Sequence, residues 1–215
     1  MNEMTVPRRF AFDAEREARI PAMIAKYPEG RQASAVIGLL YLAQEQIARE
    51  TGAANLTQSA MDAVAHRLGM APMRVYEVAT FYSMLHTKPV GRFHLQVCTT
   101  TPCWLRGSDA VMAACKSFTG LAHSHEVAAD GTFSLEEVEC LGACVNAPVL
   151  QVNDDFYEDL DGPRTLELLE ALRRGEPPPR GSTIGRQGSA PEGGQTTLFN
   201  IHPDDDQPGA EDAER

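Results

Sequence analysis

The sequence predicts an α+β protein: a small N-terminal helical bundle, then an α/β domain on an open mixed sheet of four or five strands. Three observations carry this. Between residues 13 and 83 apolar residues recur at helical spacing of three and four. After KPVG (88–91) the pattern switches to the two-residue alternation of a strand, and from there strands and helices interleave up to Gly175. The expected divisions are a helical domain over 1–87, an α/β domain over 88–175 and a Pro/Gly-rich acidic tail over 176–215.

Asp13 is placed to cap the first helix, with Ile20, Met23, Ile24 and Tyr27 on one face. Pro21 kinks that helix or marks its true start, because proline lacks the N–H that an interior position needs. YPEG (27–30) ends it. A second helix runs over about 33–50 with Val36, Leu39, Leu40, Ala43 and Ile47 in phase, and Gly52 follows its end. Thr57 or Ser59 caps a third, whose stripe is Met61, Val64, Ala65 and Leu68 and whose stop is Gly69. A fourth starts near Pro72 and carries Val75, Val78, Ala79 and Tyr82. Four short helices on brief links make a bundle, and the aromatic residues in it read as core.

In RFHLQVC (92–98) Phe93, Leu95 and Val97 alternate with polar residues, the pattern of a strand. Ser108 opens a helix to about Phe118, with Val111, Met112 and Cys115 at core spacing. HEVAA (125–129) reads as a short strand, DGT (130–132) as a turn and FSLEEVEC (133–140) as a further strand. PVLQV (148–152) and DFYED (155–159) form a hairpin around Asn153 and Asp154, and Pro163 and Gly175 frame the last helix, TLELLEALRR. The tail lacks the apolar content of a core, so it is expected to be mostly irregular and dispensable for the fold. Only TTLFNI (196–201) is apolar enough to dock.

A hydrophobic content of 43% and a charged content of 23% suit a soluble globular chain. The formal net charge of −11 argues against a nucleic-acid partner. MNEMTVPRRFAFD has no apolar signal core, and ASAVIGLLYLA (33–43) is too short to cross a bilayer, so no membrane insertion is expected. The expectation is a reducing compartment, where paired cysteines serve metals or catalysis rather than disulfides.

Four of the five cysteines are paired: Cys98 with Cys103, and Cys140 with Cys144. CTTTPC reads as a loop, because Pro102 disfavours a helical Thr101. In CLGAC, Gly142 admits a close approach and leaves amide N–H groups free to point at sulfur. Both pairs lie where a strand runs out into a connection, the place where ligands collect in open α/β sheets. Core packing explains one cysteine well and four paired ones poorly, and neither pair has the C-x-x-C spacing of a redox dithiol. The plant-type ferredoxin pattern fails because Arg106 holds its third position. A [2Fe–2S] cluster and a zinc ion both take four thiolates, and spacing leaves both open. Cys115 reads as a buried apolar residue, His123 and His125 as surface groups, and Trp104 as either a shield for the metal or simple packing. No dinucleotide or phosphate-binding fingerprint and no hydrolytic signature occurs, so no catalytic residue is assigned.

VCTTTPCWLRGSD (97–109) and VECLGACVNAPVLQVNDDFYEDL (138–160), supported by YPEGRQASAV and PMRVYEVATFYSM, resemble the small thioredoxin-like [2Fe–2S] subunit of respiratory complex I, the NADH:quinone oxidoreductase. The likeness covers about 13–175 and favours the mitochondrial and proteobacterial branch. It implies a thioredoxin-like fold for the second domain. It also implies one [2Fe–2S] cluster held by Cys98, Cys103, Cys140 and Cys144, with no ligand role for Cys115. FMN and NADH are implied on a partner, the flavin-binding subunit, with the cluster near the flavin but off the main path to quinone. The large iron–sulfur subunit of the peripheral arm is a second implied partner. The implied location is peripheral, on the cytoplasmic side of a bacterial inner membrane or the matrix side in mitochondria. Two alternatives stand beside this. One is the equivalent subunit of an NAD-linked hydrogenase or formate dehydrogenase; the other is a zinc-stapled assembly module without redox function.

Overall fold

The computed structural model describes residues 9–194 and residue 197. TTLFNI, Thr197 apart, and the acidic C-terminal run lie outside the described residues.

The helical domain consists of α1 (Ala14–Ile24), a 3-10 turn (Gln32–Ala35), α2 (Val36–Thr51), α3 (Gln58–Leu68) and α4 (Pro72–Phe81). Asp13 caps α1 by accepting from the Arg16 N–H, and Thr57 caps α3 by accepting from the Ala60 N–H. Gly52 and Gly69 end α2 and α3 in the left-handed conformation. Helix α1 starts at Ala14, so Pro21 lies inside it and is not its start. The proline is on the exposed side, where the carbonyl freed from the ladder has water to bond. Tyr27 lies beyond the helix and is exposed, as are Tyr41, Tyr76 and Phe81, so these aromatics are not core. The core is aliphatic: Ile20, Leu39, Leu40, Val64 and Val75 are fully buried, each worth about 2 kcal/mol. Two buried glutamines of α2 staple the ends of the domain. Gln46 accepts from the Asp13 N–H and donates to the Ala11 carbonyl, while Gln44 accepts from the His86 N–H and donates to the Met84 carbonyl.

The α/β domain runs β1 (Phe93–Cys98), α5 (Thr101–Leu105), α6 (Ser108–Thr119), β2 (Glu126–Val127), β3 (Phe133–Val138), β4 (Leu150–Val152), β5 (Asp155–Glu158), α7 (Gly162–Arg174) and β6 (Gly181–Ser182). The mixed sheet has the order β2-β3-β1-β4-β5-β6. β1 runs parallel to β3 and antiparallel to β4, with Phe93 opposite Phe133 and Val97 opposite Leu150. The inward residues Leu95, Val97, Leu135, Leu150 and Val152 form one core with Val111 and Cys115 of α6 and Leu168, Leu169 and Leu172 of α7. The alternate residues of β1, His94 and Gln96, are buried as well, so this central strand has no solvent face. Gly91 carries the chain into β1 against the backbone of β3: a Cβ there would lie 2.4 Å from the Phe133 carbonyl carbon.

Among the described residues the sheet has six strands, one more than the sequence suggests, because the segment after α7 returns to it. β6 pairs in parallel with β5, and Arg186 forms a buried ion pair with Asp159. A chain rich in Pro and Gly supplies no periodic signal for such a return, which directed polar contacts make.

Candidate metal centre

Parallel strands β1 and β3 end level, with Cys98 opposite Val138. Their connections therefore leave the same end of the sheet. The first carries Cys103, the second Cys140 and Cys144. The expected loop at CTTTPC is instead the start of α5, in which Pro102 occupies the first turn, where a missing N–H costs nothing. The turn of helix brings Cys103 back under Cys98. Cys144 opens a 3-10 turn (Cys144–Asn146) that leads to Ala147–Pro148, a cis bond, and then β4.

All four sulfurs are within mutual influence. Cys98 and Cys103 share a hydrogen bond, as do Cys140 and Cys144, whose sulfurs are 3.3 Å apart. All five cysteines are free thiols. Two thiolates on one tetrahedral metal, with bonds of about 2.3 Å, stand roughly 3.8 Å apart, so Cys140 and Cys144 need little movement to share an ion. The sulfurs thus come as two twos, and among the described residues no three His, Cys, Asp or Glu side chains close on one metal position.

Backbone donors surround the sulfurs. The N–H groups of Leu141 and Thr100 point to Cys98, that of Val149 to Cys103, and that of Gly142, at φ 84°, to Cys140. The Thr100 hydroxyl lies 3.3 Å from the Cys98 sulfur and also reaches Cys140. Burial opposes ionisation of Cys98, but these bonds outweigh it and hold its thiol below the ordinary value. Burial, then the bond shared with Cys98, pushes Cys103 up to about 12. The Gly142 amide lowers Cys140, and the bond shared with Cys140 raises Cys144. Each pair therefore sets one thiol lowered from its ordinary value beside one raised above it.

The site is one-sided. Cys98 and Cys103 are buried with Ala147 and Val149, against Leu141, Ala143 and Phe156, whereas Cys140 is exposed and Cys144 partly so. Trp104 is not packed into the core: it is 58% exposed and, with Leu105 and Val145, leaves apolar surface on the segments that carry Cys103 and Cys144. His123 and His125 are exposed surface groups, and His125 lies 3.5 Å from Glu136. Cys115 is fully buried in the α6 core, and burial pushes its thiol up to about 12. Sequence reasoning missed Thr100 and the Asp159–Arg186 pair. A hydroxyl two residues after a cysteine in a turn is a signal for the first, while nothing local marks the second.

The chain matches the family model described as "Thioredoxin-like [2Fe-2S] ferredoxin" over residues 20–173. It is 49% identical over 170 residues to a subunit of the NADH-quinone oxidoreductase of Rickettsia typhi, covering 79% of this chain and 96% of that one. It is 44% identical over 190 residues to the mitochondrial NADH dehydrogenase [ubiquinone] flavoprotein 2 of Dictyostelium discoideum, covering 88% and 74% of the two chains. The crystal structure of an air-oxidised NAD+-reducing [NiFe]-hydrogenase aligns at a TM-score of 0.55 and 18% identity. That alignment covers 65% of this chain and only 23% of the other, a likeness of fold alone. Four thiols at the ends of parallel strands, a family match over most of the chain and relatives near half identical agree: the chain belongs to the thioredoxin-like [2Fe–2S] ferredoxin family.

Proposed function

We propose that this chain is the electron-transfer subunit of an NADH:quinone oxidoreductase, complex I, and that Cys98, Cys103, Cys140 and Cys144 hold its one [2Fe–2S] cluster. The observation that carries the ligand assignment is the convergence of two cysteine pairs, each with its own amide donors, at one end of the sheet. When bound, the cluster supplies a one-electron redox centre. The amides of Thr100, Leu141, Gly142 and Val149 and the Thr100 hydroxyl offset the negative charge on the sulfurs. The apolar wall of Ala147, Val149 and Phe156 keeps water from the inner pair.

Hydride chemistry belongs to a neighbour. NADH gives up two electrons as hydride, and a flavin is the cofactor that accepts them together and releases them singly. This chain has no dinucleotide fingerprint. The names of the relatives support a place in a multi-subunit NADH dehydrogenase; within this proposal the flavin- and NADH-binding subunit is the first partner and the large iron–sulfur subunit the second. The exposed edge at Cys140 faces the flavin subunit, because electron transfer requires close approach and the opposite side is covered by the sheet. Among the described residues no helix is long and apolar enough to cross a membrane. The proposal places the chain as a peripheral subunit, on the cytoplasmic face of a bacterial inner membrane or the matrix face of a mitochondrial one.

The test is composition and spectrum of the purified full chain. The expected result is two irons and two sulfides per chain, a red-brown colour and an EPR signal on chemical reduction. One zinc per chain, colourless and EPR-silent, overturns the reading in favour of a stapled assembly module.

A further inference from the structure

The turn that carries Cys144 is tied to a part of the chain more than forty residues away. Of the polar groups on Val145 and Asn146, the two residues after Cys144, the Val145 carbonyl, the Asn146 carbonyl and the Asn146 side-chain nitrogen Nδ2 bond outside the turn, while the Asn146 N–H bonds back to the Ala143 carbonyl. The Val145 carbonyl accepts from Arg186 Nη2 at 3.3 Å. The Asn146 amide nitrogen donates to the Gly188 carbonyl at 2.8 Å and to the Glu158 carboxylate. The Asn146 carbonyl accepts from the Asp159 N–H at 2.8 Å.

Arg186 is the hub of these contacts. Its Nε donates to Asp159 Oδ2 at 2.9 Å, its Nη1 to the Ala190 carbonyl at 3.0 Å, and its Nη2 to Asp159 Oδ1 as well as to Val145. The two side chains are 8% and 3% exposed. Ser182 Oγ adds a bond of 2.6 Å to Asp159 Oδ2. Asp159 sits at φ 55°, outside the regular course of β5, which aims its N–H at Asn146. A buried ion pair is costly unless its hydrogen bonds are filled, so its presence in an otherwise irregular segment calls for a use. The planar guanidinium joins three separate acceptors, Asp159, Ala190 and Val145, which a single ammonium cannot do in the same geometry.

We propose that residues 181–190 are a clamp that fixes the Cys144 turn, and that Arg186 is its positioning residue. The inference rests on Cys144 being a cluster ligand, as argued above. Arg186 touches neither sulfur nor cluster. It acts through the Val145 carbonyl and Asp159, holding the peptide after Cys144 so that the Cys144 sulfur meets its iron with little reorganisation.

The experiment uses the full-length chain with its cluster, as wild type, Arg186→Ala and Arg186→Lys. The readouts are the EPR g-values of the chemically reduced protein and the rate at which an iron chelator bleaches it anaerobically. Arg186→Ala keeps all four thiols and is expected to load. Its g-values should shift and its bleaching should be roughly tenfold faster or more, the range seen when partners that orient metal ligands are removed. Arg186→Lys should lie between it and wild type, because charge returns without the fork. Wild-type g-values and bleaching rate in Arg186→Ala overturn the clamp. If Arg186→Ala does not fold, amide exchange on the wild-type chain decides. The Arg186 and Ala190 amides, far from the sulfurs in sequence, should exchange more slowly with the cluster bound than without it, by reciprocity of coupling. No change there overturns the clamp. A wild-type chain that never binds iron overturns the cluster reading along with this one; a loaded wild type with an indifferent Arg186→Ala overturns this one alone.

Discussion

Cys98, the last residue of β1, stands opposite Val138, the last residue of β3, at the end of a parallel register that begins with Phe93 opposite Phe133. Slipping this register by one residue turns Cys98 to the other face of the sheet. The core side chains of Leu95, Val97 and Leu135 thus fix where the thiols meet.

Serine at Cys98, Cys103, Cys140 or Cys144 is expected to abolish or strongly alter the visible spectrum and to lower the iron content, since under the proposed ligand set each thiolate is a bond to the cluster. Cys115→Ser should leave the spectrum intact while costing about 1–3 kcal/mol, because a hydroxyl enters a fully buried apolar site. Iron analysis and urea unfolding check the two halves. An unaltered spectrum in Cys140→Ser contradicts the ligand set.

The isolated chain should be reducible by a strong chemical reductant and inert to NADH. Adding the flavin-binding subunit should make it reducible by NADH and yield a complex that co-elutes on gel filtration. Rapid bleaching of the isolated, flavin-free chain by NADH would refute the division of labour.

Stability should fall on mild acidification through His86. Its ring lies 4.9 Å from that of His94, and His94 bonds Ser134 and Glu136. Burial first, then the charge of His94, pushes His86 down to about 4, with Glu136 acting in the other direction. The unfolded chain therefore takes up a proton near pH 6.5, whereas the folded chain resists until about pH 4. Stability from this group is complete above 6.5 and is lost as pH falls toward 4. Urea midpoints over that window should drop in wild type and less steeply in His86→Gln; equal slopes would remove His86 from the account.

Gly91→Ala should destabilise by at least about 1–3 kcal/mol, the usual cost of overpacking. The added methyl would lie 2.4 Å and 2.6 Å from backbone atoms of Phe133 and Ser134, which have no rotamer by which to retreat. It would also strain the bond from the Gly91 N–H to Ser134 Oγ, 2.9 Å long. A melting temperature within a degree of wild type would count against this.

What the sequence disclosed follows the reach of each signal. Caps and stops are local, so Asp13, Thr57, Gly52 and Gly69 are legible in the chain and sit where expected. The cysteine pairs are also legible, because each is short and the type of side chain is itself the message. Proline left one boundary open at Pro21 and misled at Pro102. Pro21 and Pro102 both lie inside helices, one on a wet face and one in a first turn, and neither circumstance shows in the residue itself. The return of the tail was illegible for a different reason. Arg186 and Asp159 form one contact across a long separation, and nothing periodic announces a partnership of two residues.

The unequal cover over the thiols has a bearing on how this site is filled. Cys98 and Cys103 rest on a wall that exists once the sheet has folded, while Cys140 opens to the surface. Under the proposed ligand set a preformed cluster would approach from outside, where Cys140 is exposed, with the buried pair Cys98 and Cys103 behind it. Oxidants reach the finished site by the same door. Oxidants would therefore meet Cys140 first, and docking of a partner over that edge would protect it.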